Sequence, residues 1–251
     1  MARAVRRVFA AAGIVVLAMA ASVQTSVAAV APSFGGATIA SVQPTNGQVV
    51  GVAMPITVTF TQPVADRWAA QQSIRVAAPA DVAGRYEWRD DTTVQFIPDQ
   101  YWPAHSEITM MAGGIPRTFG TGAIVLGVAD ISAHTFTVSI DGQVARQMPA
   151  SMGKPKHQTP VGNFNVLEKQ STVVMDSRTI GIPLNDPEGY KLTVNDAVRV
   201  TWGGVYVHSA PWSVGSQGYA NVSHGCINLS PDNASWYFNQ VHIGDPVVIN
   251  A

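Results

Sequence analysis

Short stretches in which apolar and polar residues alternate, each closed by turn residues, limit the possible folds of this 251-residue chain more than any other feature. Between residues 41 and 112 the alternation is clearest at Ile56–Phe60, 86–88 and 94–96. Successive side chains of a strand point to opposite faces, so these stretches predict strands that bury one side. Their close spacing indicates an antiparallel β-sandwich, and we predict a mainly β chain.

The second half of the chain also has the pattern of a β-rich domain. Its clearest local signal is Thr135–Ile140, Asp141-Gly142 and 143–146, a predicted hairpin in which Asp-Gly suits the positive φ angles of a type I′ turn. Further strands are predicted at 123–128, 163–167, 197–201, 205–208 and 247–249.

One or two short helices are predicted in this second half, and one of them is well signalled. Ser230 is suited to cap it, Pro231 fits its first position and Gly244 is expected to end it. Its apolar surface is predicted to comprise Ala234, Trp236, Tyr237, Phe238 and Val241.

Glycine and proline cluster at 112–116 and again at 119–122, which is typical of a joint between domains. We therefore expect an N-terminal segment at 1–31, a β-sandwich domain at 32–121 and a second, β-rich domain at 122–251.

The first residues have the layout of a secretory signal. Arg3, Arg6 and Arg7 precede an uncharged apolar stretch at 8–23, and small residues follow at 26–28. A cleaved signal is the first interpretation and an uncleaved N-terminal anchor is the second, because the apolar stretch is shorter than the ~18 residues of a membrane span. Either predicts an exported protein of the periplasm or cell wall, and only an uncleaved segment would bring it into contact with the membrane.

The charge balance argues against a nucleic-acid partner. The chain has a net charge of −1, which becomes about −4 once the three arginines of the signal are removed. Proteins that bind DNA or RNA neutralise phosphates with clustered lysine and arginine, and the sequence has no basic cluster.

Cys226 is the only cysteine of the chain and indicates nucleophilic chemistry. An exported protein that keeps one unpaired thiol risks its oxidation without gaining a crosslink, so the thiol is expected to have a function. His208 precedes it, separated by a glycine- and serine-rich segment at 209–222 that is able to return the chain beside the imidazole. Gly225 permits a backbone conformation closed to other residues, and the amides of Gly225 and Cys226 are expected to face an oxyanion.

These motifs resemble the catalytic domain of the L,D-transpeptidases, the YkuD family. The likeness rests on a histidine, a mid-length loop and the run Ser223-His224-Gly225-Cys226, and on a second motif at 159–164. The segment before it resembles the immunoglobulin-like module found in mycobacterial enzymes of this type. The resemblance therefore implies an immunoglobulin-like sandwich followed by a YkuD-type catalytic domain.

The resemblance also implies a reaction. Such enzymes are cysteine acyltransferases that crosslink peptidoglycan, using tetrapeptide stems as both donor and acceptor and releasing D-alanine. Cys226 is then the nucleophile, and His208 takes up its proton. A charged His208 is expected to favour the thiolate of Cys226. Carbapenem β-lactams are expected to acylate the same thiol, and no cofactor is implied.

The other site residues are implied by the resemblance alone. Ser209 is expected to orient the imidazole through its carbonyl, and His224 and Gly225 to line the oxyanion position. The remaining residues are expected to bind substrate or shape the cleft: Tyr190, Met175, Gly204, Trp212, Ser223 and Asn228.

Alternatives remain at this stage. Water in place of the acceptor amine gives an L,D-carboxypeptidase, and a wall-binding protein with an incidental buried cysteine needs no catalysis at all. His208, His224 and Cys226 together offer zinc ligands, but the spacings typical of zinc sites are missing, so we predict no metal.

Overall fold

The computed structural model describes residues 34–251. The predicted export signal at 1–31 lies outside the described residues. Within the described range, no helix combines the length and the apolar character that a membrane crossing requires.

Eight strands form the N-terminal sandwich: β1 (Ile39–Gln43), β2 (Val49–Val50), β3 (Ile56–Phe60), β4 (Ile74–Ala78), β5 (Gly84–Trp88), β6 (Thr93–Pro98), β7 (Glu107–Ala112) and β8 (Ile115–Thr121). They pair as two four-stranded sheets in the orders β1-β3-β6-β5 and β2-β8-β7-β4. Alternate side chains of both sheets, among them Ile56, Phe96 and Ile108, meet in one buried cluster. The predicted immunoglobulin-like sandwich is confirmed.

Two of the glycines predicted to form the joint between domains, Gly113 and Gly114, lie inside the sandwich. Gly113 and Gly114 have positive φ angles of 56° and 75° and make the tight turn between β7 and β8, which pair antiparallel. Glycine is needed at these two positions because the tight turn requires positive φ angles, and the two residues do not form a linker between domains. The chain changes sheets between Thr121 and Val125, and we keep residue 121 as the proposed domain boundary.

A short helix in the sandwich, α1 (Arg67–Gln72), was not predicted from the sequence. The side chain of Asp66 caps it by accepting the amide of Ala69 at 2.9 Å. Only Ala70 of the helix is buried, so the segment has no apolar periodicity that would reveal it.

Nine strands and one α-helix form the second half: β9 (Val125–Asp130), β10 (Thr135–Ile140), β11 (Gln143–Pro149), β12 (Gly162–Asn165), β13 (Glu168–Asp176), β14 (Lys191–Arg199), β15 (Tyr206–Ser209), β16 (Ile227–Leu229), α2 (Pro231–Gln240) and β17 (Pro246–Asn250). The strands make two sheets, in the orders β11-β10-β9-β17-β12 and β13-β14-β15-β16. Apolar residues of both sheets and of α2, such as Phe136, Val207 and Tyr237, share one core.

The local signals of this half are largely confirmed. Asp141 and Gly142 have φ angles of 48° and 80° between β10 and β11, as a type I′ turn requires. Ser230 caps α2 by accepting the amide of Asn233. The helix ends at Gln240, earlier than the predicted stop at Gly244, because the next residue is already extended.

Two strands differ from the prediction. The nine-residue strand β13 was missed, and β14 begins at Lys191, well before the predicted 197–201. No residue of β13 is fully buried and the first part of β14 is mostly exposed, so neither strand has the regular burial of alternate residues that signals a strand.

The parallel pairing of β15 and β16 positions the functional residues. His208 of β15 is in register with Asn228 of β16, and Cys226 immediately precedes β16. The predicted nucleophile and base are therefore carried by neighbouring strands of one sheet.

Candidate active site

Cys226 and His208 line the same open cleft, which has a volume of about 640 Å³. Tyr190, Trp212 and Met175 form part of its walls. The structure thus brings together the residues that the resemblance implied, although they come from separate segments. The predicted site residues that line the cleft are His208, Cys226, His224, Ser223, Asn228, Tyr190, Met175 and Trp212.

The backbone around Cys226 depends on the glycine before it. Gly225 has a φ angle of 117°, a region that residues with a Cβ rarely adopt. The Cys226 thiol donates a hydrogen bond to the carbonyl of Gly204 at a sulfur-to-oxygen distance of 3.6 Å. Gly204 itself has a φ angle of 97° in the turn before β15. Because the carbonyl only accepts, this contact requires the protonated thiol.

The imidazole of His208 is held in one orientation and one tautomer. Its Nδ1 lies 2.9 Å from the carbonyl oxygen of Ser209, the contact expected from the sequence. A carbonyl oxygen only accepts, so Nδ1 carries the proton and Nε2 of the neutral ring is free to receive one. The Trp212 ring lies beside the imidazole, with centroids 6.0 Å apart.

The pKa directions contradict the expectation of a resting thiolate beside a charged imidazole. Burial lowers the pKa of His208 to about 4, partly offset by the carbonyl of Ser209. Cys226 keeps some contact with solvent, yet the protein around its sulfur raises the thiol pKa to about 11. Both shifts have the same cause, since a low-dielectric surrounding disfavours either charge. Both shifts favour the neutral thiol and the neutral imidazole at rest.

The hydroxyl of Ser223 organises the turn that carries the thiol. It accepts the amide of Gly225 at 3.1 Å and donates to the carbonyl of Cys226 at 2.6 Å. The Gly225 amide is therefore engaged within the turn, which corrects the expectation that it faces an oxyanion. Ser223 therefore stabilises this turn through two hydrogen bonds and also lines the cleft.

Thr159 joins the second sequence motif to the same turn. Its buried hydroxyl donates to the carbonyl of Gly225 at 2.9 Å and accepts the amide of Gly153 at 2.8 Å. The motif at 159–164 was expected to matter only through the resemblance. Its threonine turns out to support the residue that precedes the nucleophile.

Asn228 anchors the loop that forms one wall of the cleft. Its side-chain amide donates to the hydroxyl of Ser213 at 3.2 Å, and Ser213 in turn donates to the carbonyl of Ala210. The amide of Gln217 donates to both of these acceptors. The loop at 210–217, which carries Trp212, is therefore built on a buried polar network.

Two further walls meet at Cys226. Met175 of β13 and Cys226 both pack against a small buried cluster that contains Val194 and Tyr206. A second, smaller cavity of about 280 Å³ opens on the other side of Cys226. Tyr190 lines both cavities, and its ring centroid lies 5.0 Å from that of His224.

One group of side chains in the cleft was not predicted from the sequence. His157, Glu188 and His224 each direct a ligand atom to a common point, with all three atoms within 4.8 Å of one another. Lys154 lies 3.0 Å from the other oxygen of Glu188. These residues come from unrelated segments, so no spacing in the sequence joins them. They are not the three residues that the sequence offered as zinc ligands.

Comparisons with known proteins agree with this geometry. The family model of the L,D-transpeptidase catalytic domain, YkuD, matches residues 125–249, and that of a bacterial Ig domain, Big_10, matches residues 17–113. L,D-transpeptidase 1 of Mycobacterium tuberculosis is 55% identical over 249 residues, which is 99% of each chain.

Solved structures are similar as well. An L,D-transpeptidase from Mycobacterium smegmatis is 65% identical, with a TM-score of 0.81 over 86% of this chain and 99% of that one. The LD transpeptidase LdtMt1 in complex with imipenem is 59% identical, with a TM-score of 0.80 over 84% of this chain and 98% of that one. The chain, in which a YkuD catalytic domain follows an immunoglobulin-like module, therefore belongs to the L,D-transpeptidases, which are acyltransferase-type enzymes.

Proposed function

We propose that this enzyme forms 3-3 crosslinks in peptidoglycan, joining the third residues of two stem peptides through a thioester on Cys226. One observation carries the proposal: the only thiol of the chain shares an open cleft with an imidazole whose tautomer leaves Nε2 free to accept a proton. A thiol and a base in one cleft are the minimum apparatus for acyl transfer.

In the first step the sulfur of Cys226 attacks the carbonyl of the third residue of a tetrapeptide donor. The thiol proton passes to Nε2 of His208 as the carbon–sulfur bond forms. The imidazolium then gives that proton to the amine of D-alanine as the peptide bond breaks, and a thioester remains. Because both groups are neutral at rest, proton transfer accompanies attack rather than preceding it.

In the second step the side-chain amine of a neighbouring stem attacks the thioester. A free alkyl amine has a pKa of about 10.4, so it needs a base to lose its proton near neutral pH. That first proton passes to solvent, and His208 then takes the second proton, which the nitrogen loses as the amide bond forms, and gives it to the departing sulfur to regenerate the thiol. The net reaction exchanges one peptide bond for another and requires no cofactor.

The negative oxygen that develops on the carbonyl needs donors. We assign this role to the backbone at His224 and Cys226, since the Gly225 amide is already engaged by Ser223. A single such donor typically lowers the barrier by about 2.7–4 kcal/mol. Tyr190, Met175 and Trp212 then hold the donor stem against the thiol from the cleft walls.

The proposal extends to inhibitors and to location. Carbapenems are expected to acylate Cys226, and the similar enzyme solved in complex with imipenem supports this expectation. An enzyme that acts on peptidoglycan must reach the cell wall, so the protein is expected to be exported. We propose that the segment at 1–31 is a cleaved secretory signal, with an uncleaved anchor as the second interpretation.

The test is an incubation of the purified protein with disaccharide-tetrapeptide, followed by mass spectrometry of the products. We expect crosslinked dimers and free D-alanine, and neither product from the Cys226→Ala variant. Tripeptide and D-alanine without dimers would assign the L,D-carboxypeptidase activity instead. No turnover by the folded protein would refute the proposal.

The inhibitor is tested separately by intact-mass spectrometry. One covalent adduct of imipenem per chain is expected for the parent and none for Cys226→Ala. An adduct that survives in the alanine variant would locate the acylation elsewhere.

A further inference from the structure

A group of three side chains beside the thiol has the geometry of a metal site. We call it the His157–Glu188–His224 cluster. Nε2 of His157 lies 2.8 Å from Oε2 of Glu188, and Nε2 of His224 lies 3.6 Å from the same oxygen. The two imidazole rings face each other with centroids 4.9 Å apart. Two nitrogens and one carboxylate oxygen therefore converge on one point.

Three separate segments build this cluster. His157 ends the short 3-10 helix Pro155–His157, Glu188 lies in the loop before β14, and His224 is two residues from Cys226. The side chains are only 19%, 27% and 19% exposed, so the surrounding structure limits their movement. Lys154 binds the other oxygen of Glu188 at 3.0 Å. This contact orients the carboxylate so that Oε2 faces both rings, as outer partners do in metal sites.

One atom of the cluster lacks a partner. Nε2 of His224 is buried and has no hydrogen-bond partner among residues 34–251. A buried polar atom without a partner costs roughly 1–3 kcal/mol, so native proteins rarely keep one. A cation between the two rings would receive this lone pair together with that of His157.

The ligand types select the cation. Two imidazoles and one carboxylate are a zinc set, and such sites keep a fourth position for water or another ligand. Magnesium and calcium prefer oxygen ligands throughout. We propose that the His157–Glu188–His224 cluster binds one divalent transition-metal ion of the zinc class at the edge of the active-site cleft.

Two neighbouring cations bear on the affinity of this site. Lys154 and Lys156 lie 3.0 Å and 3.7 Å from the oxygens of Glu188. Lys154 and His157 each contact one oxygen of Glu188, at 3.0 Å and 2.8 Å, and so hold the carboxylate in position. The lysines also repel a cation. Lys156 is exposed and contacts the oxygen that faces the rings, so the metal displaces it into solvent.

Metal binding has a consequence for the thiol. Glu188, His224 and Cys226 line the same cleft, and the Tyr190 ring lies against His224. A bound ion fixes His224 and occupies the wall where a donor stem would lie, so it inhibits the enzyme reversibly. This inhibition rests on the proposed function, whereas binding of the metal does not.

The binding test is isothermal titration of the purified, metal-free protein with Zn²⁺ alone. We expect one site per chain, and little response to Mg²⁺. His157→Ala and Glu188→Gln should each weaken binding by more than about 100-fold, beyond the ~10–100-fold typical for outer partners of a metal. Thermal melting without metal checks that each variant is folded.

Two control variants make the test specific. His105→Ala removes another histidine that pairs with a carboxylate, Asp141, at 2.8 Å, so it should bind zinc as the parent does. Cys226→Ala should also bind as the parent does, because the thiol is not a ligand. Loss of binding in Cys226→Ala would overturn the proposal in favour of a thiol site, and binding retained by His157→Ala and Glu188→Gln would overturn it too.

The inhibition test uses the crosslinking assay with increasing Zn²⁺. Inhibition of the parent that is relieved by a chelator is expected, with the inhibitory concentration raised at least tenfold in His157→Ala. A protein that binds zinc through the cluster but is not inhibited would refute the inhibitory role alone. An enzyme with no crosslinking activity would refute the proposed function and leave the binding result intact.

Discussion

The buried hydroxyl of Thr159 offers the sharpest test of how the nucleophile is supported. It donates to the carbonyl of Gly225 and accepts the amide of Gly153, at 2.9 Å and 2.8 Å. Thr159→Val keeps the shape of the side chain and removes only the hydroxyl. Both backbone groups then lose the side-chain partner that they have here.

The magnitude follows from these two contacts. Thr159 is 2% exposed, so water does not readily replace the missing hydroxyl. A buried polar group left without a partner costs about 1–3 kcal/mol, which gives roughly 2–6 kcal/mol for the two. Domains are stable by only about 5–15 kcal/mol, so a loss of this size is easily measured.

Urea denaturation measures the change in the free energy of unfolding, and the rate of imipenem acylation reports on Cys226. Thr159→Val should be destabilised and should also acylate more slowly, because Gly225 directly precedes the thiol. Thr172→Val is the matched control, since the Thr172 hydroxyl makes a single exposed contact with Asn195. A Thr159→Val protein within about 0.5 kcal/mol of the parent, with an unchanged acylation rate, would refute the reasoning.

Three further predictions follow from buried groups. Alkylation of Cys226 by iodoacetamide should accelerate with pH according to a pKa near 11, and a plateau below pH 8.5 would contradict the neutral resting thiol. Because the pKa of His208 is lowered to about 4, the unfolded chain binds more protons than the folded chain between pH 4 and 6.5, and the free energy of unfolding should rise with pH in this range. An NMR titration that shows the His208 ring of the folded protein titrating near pH 6.5 would exclude this effect. Burial raises the pKa of Asp245 to about 7, so the stability that its neutral form contributes is present below pH 4 and is lost as the pH rises to 7. The free energy of unfolding of Asp245→Asn, measured by urea denaturation, should therefore increase relative to that of the parent by up to about 4 kcal/mol between pH 4 and pH 8. If the stability difference between Asp245→Asn and the parent were the same at pH 4 and pH 8, ionisation of the buried carboxyl would not be its cause.

The sequence predicted best where a signal is local. The hairpin around Asp141-Gly142 and the start of α2 at Ser230 depend on neighbouring residues alone, and both are present in the structure. The same reasoning failed at Gly113 and Gly114 because a hairpin turn and a domain linker require the same glycines. Only strand pairing distinguishes them, and pairing is not local.

The residues of the active site likewise divide into those that a local motif predicts and those that only the folded chain brings together. Sequence motifs identified Cys226 and His208, and the resemblance to the family predicted the residues that line the cleft. The neutral state of the pair was not predictable, because it depends on how deeply both groups are enclosed. The cluster that contains His157 and Glu188 was equally hidden. Its members meet only after three distant segments have packed together.

The parallel alignment of β15 with β16 separates the placement of the reactive residues from the shaping of the cleft wall. The base and the nucleophile are fixed by adjacent strands in the core sheet, with His208 in register with Asn228. Strand pairing, rather than the connection at residues 210–222, sets the register of the two reactive residues, although the connection also places Trp212 beside the imidazole. Grafting a different connection onto this frame should therefore alter which wall peptide is accepted while the chemistry survives, and this makes the segment the natural target for redesigning specificity.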